Sequence, residues 1–295
     1  MRKIRFGAGI LVLMGIATTF GSNHVSARLA FDHGASVATA VGVRSGMTAL
    51  ALLALLRLQS VPLTMSRALL GRALLVGLLV ALQSFCLYSA VARIPVALAL
   101  LCFSSCPMIY VIISWIAGKD APPRVALAAA PIALLGLALA LDVGFANLKG
   151  RVAEIGAGAA FAFAAALCFA LVMYLNVHWL KALDGRLRTF VMMAVTAAVV
   201  IGAGALGRGL ALPADGTGWL GLVLLTVFYG SAITALFIVL PRIEGSAATI
   251  GLNFEPIAVL GLAWVFLGQA VKPLQIVGAF LVVGAIAWLG TAKRT

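Results

Sequence analysis

The chain has 295 residues, 64% of them hydrophobic and 10% charged, with a net charge of +13 and a mean hydropathy of +1.17. An ordinary globular domain is about 45–50% apolar and about 25% charged, so a soluble globular fold is excluded. The basic excess is not a nucleic-acid surface either, because Lys and Arg fall between apolar blocks and at their ends, as membrane-topology signals do.

Ten apolar blocks can be read, at about 7–29, 36–56, 69–91, 95–117, 124–141, 155–177, 187–206, 217–240, 246–267 and 273–291. A bilayer core of about 30 Å takes roughly 20 apolar residues per helix, so the chain is read as all-α, with ten transmembrane helices and no room for a soluble domain between them. The opening "MRKIRFGAGILVLMGIATTFGSNHVSA" has the basic start, apolar run and small residues of a signal peptide. Its run is long for one, and its recurrence later in the chain makes it an ordinary spanning helix. Thr19, Asn23 and Ser26 share one face of this first helix. Two readings fit Asn23: cavity lining and helix-to-helix hydrogen bonding. Two also fit the neighbouring His24: a packed, hydrogen-bonded neutral ring and a protonation switch. The second block holds Arg44, the one basic residue within a span. It is suited to a substrate carboxylate, to pairing with Glu255, or to snorkelling. The third block carries Tyr88 near its end.

The fourth block contains "CFSSCPMIY". Its face of Ser104, Met108, Val111 and Trp115 has one polar end, Tyr110 is a candidate cavity wall, and Pro107 is a candidate hinge, since proline frees a backbone carbonyl in a spanning helix. The four cysteines, Cys86, Cys102, Cys106 and Cys168, all lie inside apolar blocks with no His or carboxylate placed beside them, so they read as small packing residues and no metal site is expected. Tyr174 and Tyr229, in the sixth and eighth blocks, are further aromatic candidates. The ninth block has a polar stripe of Ser246, Thr249 and Asn253, then Glu255 and Pro256. A carboxylate at the bilayer centre costs about 2.5–3.5 kcal/mol or more. Glu255 is therefore either a coupling or cation-binding group or a helix-orienting hydrogen-bond partner at the proline break. Trp115 and Trp264 read as interfacial anchors.

Sliding the chain by 149 residues aligns "FGAG" at 6–9 with "IGAG" at 155–158, Phe20 with Phe169, Arg93-Ile94 with Arg242-Ile243, Pro107 with Pro256 and Trp115 with Trp264. The chain is thus two copies of a five-helix unit, at 1–145 and 150–295. Five is odd, so the second copy enters the membrane from the opposite side, an inverted-topology repeat of the kind secondary transporters use. With the N-terminus in the cytoplasm, 14 of the 21 Lys and Arg lie on the inner side and 6 on the outer. Both termini are expected to be cytoplasmic.

This duplication resembles the drug/metabolite transporter superfamily in its EamA-type branch. "FGSNHVSARLA" at 20–30 is similar to that family's first-helix Trp-Gly-Ser-Asn-Phe pattern, with Phe20 in place of Trp. "NFEPIAVLGLAWVFLGQAVKPLQIVGAFLVVGAI" at 253–286 is similar to its ninth and tenth helices, departing at Gly268-Gln269 where the family has Gly-Glu. Length and style are also similar to YddG-type bacterial amino-acid exporters. The resemblance implies a monomeric secondary transporter in the bacterial inner membrane, moving small organic metabolites outward by alternating access without a cofactor. Highly anionic substrates would call for paired Lys or Arg within the spans, and only Arg44 is there. Amino acids, including apolar or aromatic ones, are the expected substrates, with lipophilic cationic drugs or other metabolites as the alternative. The expected substrate-binding residues are Asn23, His24, Arg44, Tyr88, Ser104, Tyr110, Asn253 and Glu255, with Pro107 and Pro256 as hinges. An intramembrane enzyme is disfavoured, since the sequence has neither Gly-x-Ser-x-Gly nor His-Glu-x-x-His.

Overall fold

The computed structural model describes residues 6–118, 124–140, 152–207, 209–239, 254–270 and 272–291, and every regular element among them is a helix. In chain order these are α1 (Phe6–Asp32), α2 (Val37–Leu58), α3 (Arg67–Arg93), α4 (Val96–Phe103), α5 (Cys106–Ile116), α6 (Arg124–Ala140), α7 (Val152–Trp179), α8 (Gly185–Leu206), α9 (Gly216–Val239), α10 (Glu255–Leu267) and α11 (Pro273–Thr291). Helix starts are set locally. Ser36, Ser66 and Asp184 each cap a first turn, accepting from the backbone N–H of Thr39, Leu69 and Arg186, which answers donors that the helix itself leaves open. Among the described residues, seven stretches are long and apolar enough to cross a bilayer, with 96–116 counted as one of them, and two shorter apolar helices lie at 255–267 and 273–288.

The fourth apolar block is not a single kinked helix. It is two helices, α4 and α5, parted by Ser104 and Ser105, with Pro107 in the first turn of α5. Proline is tolerated there because its missing N–H has no intrahelical acceptor to lose. Pro256 stands at the same place in α10. The residues before α10, with Ser246, Thr249 and Asn253 among them, lie outside the described ones.

Three helix starts recur at one offset in the two halves. Starts at 67 and 216, at 106 and 255, and at 124 and 273 each differ by 149 residues. The larger interfaces run between the halves and come in matched pairs: α3 on α7 with α9 on α1, α3 on α8 with α9 on α2, and α4 and α5 on α7 with α10 on α1. Helices at corresponding places, α2 with α8 and α6 with α11, also pack on each other. The α2–α8 pair is antiparallel. At one end the Ser36 N–H donates to the Ala211 carbonyl at 3.0 Å, and the Ala211 N–H to Ser36 Oγ at 3.1 Å. At the other end Arg186, at the start of α8, reaches Gln59, just past α2.

Lipid tails are as apolar as these helices, so close approach of small residues holds them together. At Gly221 an added Cβ would stand 2.8 Å from the Ala30 nitrogen and 2.9 Å from the Ser26 carbonyl oxygen. The backbones of α9 and α1 therefore touch there. At Gly136 the same atom would meet the Gly278 carbonyl at 2.7 Å, beside the buried Ala129, Ala133 and Ala285 of the α6–α11 contact. Overpacking of this kind costs about 1–3 kcal/mol. Gly221→Ala should therefore lower the unfolding midpoint in detergent. Gly15→Ala, where nothing lies within 4 Å of the new methyl, should hold or raise it. Equal effects would contradict the α1–α9 packing.

Candidate functional site

Several of the buried polar side chains among the described residues gather at one place. Asn23 (0% exposed), His24, Arg44 (3%), Ser84 and Tyr88 (1%) are all buried. They sit on three helices, α1, α2 and α3. The Tyr88 hydroxyl donates to the Asn23 side-chain oxygen at 3.0 Å. The guanidinium of Arg44 donates to the Tyr88 oxygen at 3.2 Å and to Ser84 Oγ at 3.2 Å. The Asn23 amide is satisfied at both ends when its nitrogen turns to the Leu225 carbonyl of α9, 3.1 Å away. Over the guanidinium lie two phenol rings, Tyr229 of α9 at 3.9 Å and Tyr88 at 4.9 Å from its carbon. Arg44 is thus enclosed and does not snorkel. Next to this cluster His24 Nε2 stands 3.3 Å from Glu255 Oε1, and its ring is 5.5 Å from that of Tyr88. Glu255 pairs with His24, and among the described residues no carboxylate pairs with Arg44.

The other expected site residues lie elsewhere. Ser104 bonds back to the Leu100 carbonyl at 2.8 Å, within its own helix turn. Tyr110 packs against Tyr174 at 6.5 Å, which stacks on His178 at 4.1 Å, in a group centred on Cys106, Ala166 and Ala170. Asn253 lies outside the described residues. All four cysteines are free and buried, and among the described residues no three His, Cys, Asp or Glu side chains gather as a metal site. Ser84, Ser45 and Thr48 belong to the cluster or border it, and the sequence reading did not select them; Tyr229, an aromatic candidate in the sequence, joins the cluster as well. A four-residue spacing was the available signal: Ser84 with Tyr88 on α3, and Arg44 with Thr48 on α2, each share a helix face.

The duplication supplies an internal control. Displaced by 149 residues, Asn23 becomes Val172, His24 becomes Met173, Arg44 becomes Met193, Ser84 becomes Ile233, Tyr88 becomes Phe237, Tyr229 becomes Val80 and Glu255 becomes Cys106. Val172 and Met193 are buried like Asn23 and Arg44, whereas Met173 is 43% exposed where His24 is buried, and Cys106 is buried where Glu255 is partly exposed. The buried Asn23 and Arg44 positions are therefore filled by apolar side chains in the second half.

Beyond the cluster, both ends of the molecule are tied across the halves. His33 Nδ1 is 2.7 Å from Asp215 Oδ2, and the Ala214 N–H donates to the His33 carbonyl. The Gly218 backbone N–H, then the His33 ring, hold the Asp215 carboxyl below the usual carboxylate range. At the opposite end the Arg186 guanidinium holds Asp184 down at about 2. Both folded-state values are depressed. The bond of Asp184 to Arg186, within the second half, is therefore complete at neutral pH and lost only as pH falls from about 4 towards 2, and the contact across the halves at that end is Arg186 with Gln59.

Comparison with known proteins bears on the whole chain. The model of the EamA-like transporter family matches it twice, at residues 7–141 and 156–291. The chain belongs to that family, and it is a multi-pass membrane protein of two repeats. A solved protein crystal structure superposes with a TM-score of 0.66 at 19% identity, covering 96% of this chain and 99% of that one, which is a likeness of fold. No curated protein matches.

Removing only the hydroxyl of Tyr88 strands two buried partners, the Arg44 guanidinium and the Asn23 amide. Leaving such groups unsatisfied costs about 1–3 kcal/mol each. Tyr88→Phe should lower the unfolding midpoint in detergent, although Phe is what the second repeat carries at the matching position. An unchanged midpoint would mean that the hydrogen bonds around Arg44 are not formed in the folded protein.

Proposed function

We propose that this member of the EamA-like transporter family exports amino acids, apolar or aromatic ones included, by alternating access between its two halves. In this reading the spans number ten, in two inverted five-helix repeats at 1–145 and 150–295, and the protein works as a monomer in a bacterial inner membrane with both termini cytoplasmic. The 14-to-6 distribution of Lys and Arg supports that orientation. The antiparallel pairing of α2 with α8 supports the inversion.

One observation carries the functional reading: the polar cluster occupies only one of two matched interfaces. Polar side chains in a membrane protein are expensive and are kept where they line a path or bind a solute. If Asn23, Arg44 and Tyr88 served only to join helices, the matched interface would need equivalents, and it packs with Val172 and Met193 instead. The cluster joins α1, α2 and α3 of one half to α9 and α10 of the other, where a solute bound between moving halves belongs. Arg44 offers a cation to a carboxylate, and Glu255 an anion to an ammonium. Pro107 and Pro256, each opening a helix at the same repeat position, serve as the hinges.

Reconstitution tests this. Purified protein in liposomes should exchange labelled amino acids, with cationic drugs included in the panel. Flux of drugs alone would replace the substrate class, and flux of nothing in the panel would contradict the transport reading. Glu255 divides further. It opens α10, where a helix N-terminus favours a carboxylate, and it meets His24 on α1. We expect the role to be architectural: Glu255→Gln keeps pH-gradient-driven accumulation and Glu255→Ala folds poorly. A well-folded Glu255→Gln protein that exchanges substrate but has lost pH-driven accumulation would make Glu255 the coupling group instead.

A further inference from the structure

We infer that Arg44 and Tyr229 together form a clamp for a substrate carboxylate, with the Tyr229 hydroxyl setting the preference for an acid over its neutral analogues. The inference rests on the transport reading and deepens it at the same site.

Arg44 is an incomplete group as it stands. It is 3% exposed, the hydroxyls of Tyr88 and Ser84 are its hydrogen-bond acceptors, and no carboxylate among the described residues lies within ion-pair distance. Its Nε is buried without a hydrogen-bond partner, and so is the hydroxyl of the next residue, Ser45. A buried cation answered only by neutral groups is an unfavourable state that a matching anion relieves. The unanswered edge has a definite shape. Nε–H and one Nη2–H of a guanidinium point the same way and can donate to the two oxygens of one carboxylate. The single unit of charge fits a monocarboxylate and not a phosphate ester.

Tyr229 supplies the second half. The face of its ring carries the guanidinium at 3.9 Å, while its hydroxyl reaches Met193 Sδ at 3.6 Å. A thioether is a weak acceptor, so this phenolic proton is poorly engaged and a carboxylate oxygen would draw it away. Met193 is the repeat image of Arg44. One tyrosine therefore touches the same position of both halves, cation on its face and sulfur at its hydroxyl. When the halves move, its proton can pass from the sulfur of one half to a ligand held on the arginine of the other.

The test is binding to the purified full-length chain in detergent, using each common amino acid and its amide. The tightest-binding acid should bind about tenfold or more tightly than its amide, the scale of one hydrogen bond to a charged group. Tyr229→Phe keeps the ring under Arg44 and removes only the hydroxyl. It should cut most of that preference by weakening the acid and leaving the amide unchanged. Met193→Leu should tighten the acid in the wild-type background and do nothing in Tyr229→Phe. Arg44→Gln should erase the preference, and Tyr229→Phe still decides the matter if that protein does not fold. Equal affinity of acids and amides, or an unchanged preference in Tyr229→Phe, overturns the clamp. Displacement of the amino acid by chloride but not by acetate also overturns it, in favour of a halide site. Liposome flux separates the two levels. Flux of carboxylate-free cations together with equal binding of acids and amides leaves transport standing and sinks the clamp. Acid preference lost in Tyr229→Phe, with no flux of any compound, does the reverse.

Discussion

A guanidinium inside a bilayer has to be enclosed and answered by protein, because hydrocarbon offers it nothing. Arg44 imposes that constraint, and the arrangement around it follows. Tyr88 and Ser84 on α3 take its protons. Tyr229 of α9 covers its face. Tyr88 in turn holds Asn23 on α1, whose amide reaches the Leu225 carbonyl of α9. Helices from both halves are thereby tied through one charge. The small residues that let α1 meet α9, above all Gly221, bring those backbones close enough for the side chains to reach.

Packing and recognition are separated in this molecule by its own duplication. Two matched interfaces use the same helices in the same order. One is filled by Val172, Met193 and their neighbours, and the other by Asn23, Arg44 and theirs. Replacing a buried charge network with well-packed apolar residues is often neutral or stabilising. The polar version therefore has no advantage as glue, which is what the proposed solute-binding role rests on. The contacts at the two ends, His33 with Asp215 and Arg186 with Asp184 and Gln59, are at loops and helix ends.

Much of the architecture was legible in the sequence because it depends on coarse quantities. Block length and hydropathy locate the helices, and a constant offset of 149 residues exposes the repeat through Arg, Pro and Trp matches that a Gly- and Ala-rich chain would not make by chance. Asn23, Arg44, Tyr88 and Glu255 could be singled out because polar residues in apolar blocks are few. Their partners could not. Whether Arg44 meets Glu255 or Tyr88 depends on helix rotation and crossing, which hydropathy does not encode, and the structure gives Glu255 to His24. Tyr110 and Ser104 looked equivalent to Tyr88 and Asn23 by composition, but they face a different group of helices. The break at Ser104-Ser105 read as a bend because proline marks both a kink and a helix start. Ser105 stands at the N-cap of α5 as Ser36 and Ser66 do in α2 and α3, but its side chain makes no cap hydrogen bond.

The central claim, that the polar cluster serves recognition and not packing, is tested most directly by making the first interface copy the second. The triple variant Asn23→Val, Arg44→Met, Tyr88→Phe installs the residues found 149 positions later. Its unfolding midpoint and its amino-acid exchange in liposomes would be measured together. The account predicts a protein that folds and melts no lower than the natural one, since no orphaned donor remains, and that exchanges no substrate. Exchange retained at the natural rate, or a triple variant that does not fold, would contradict it.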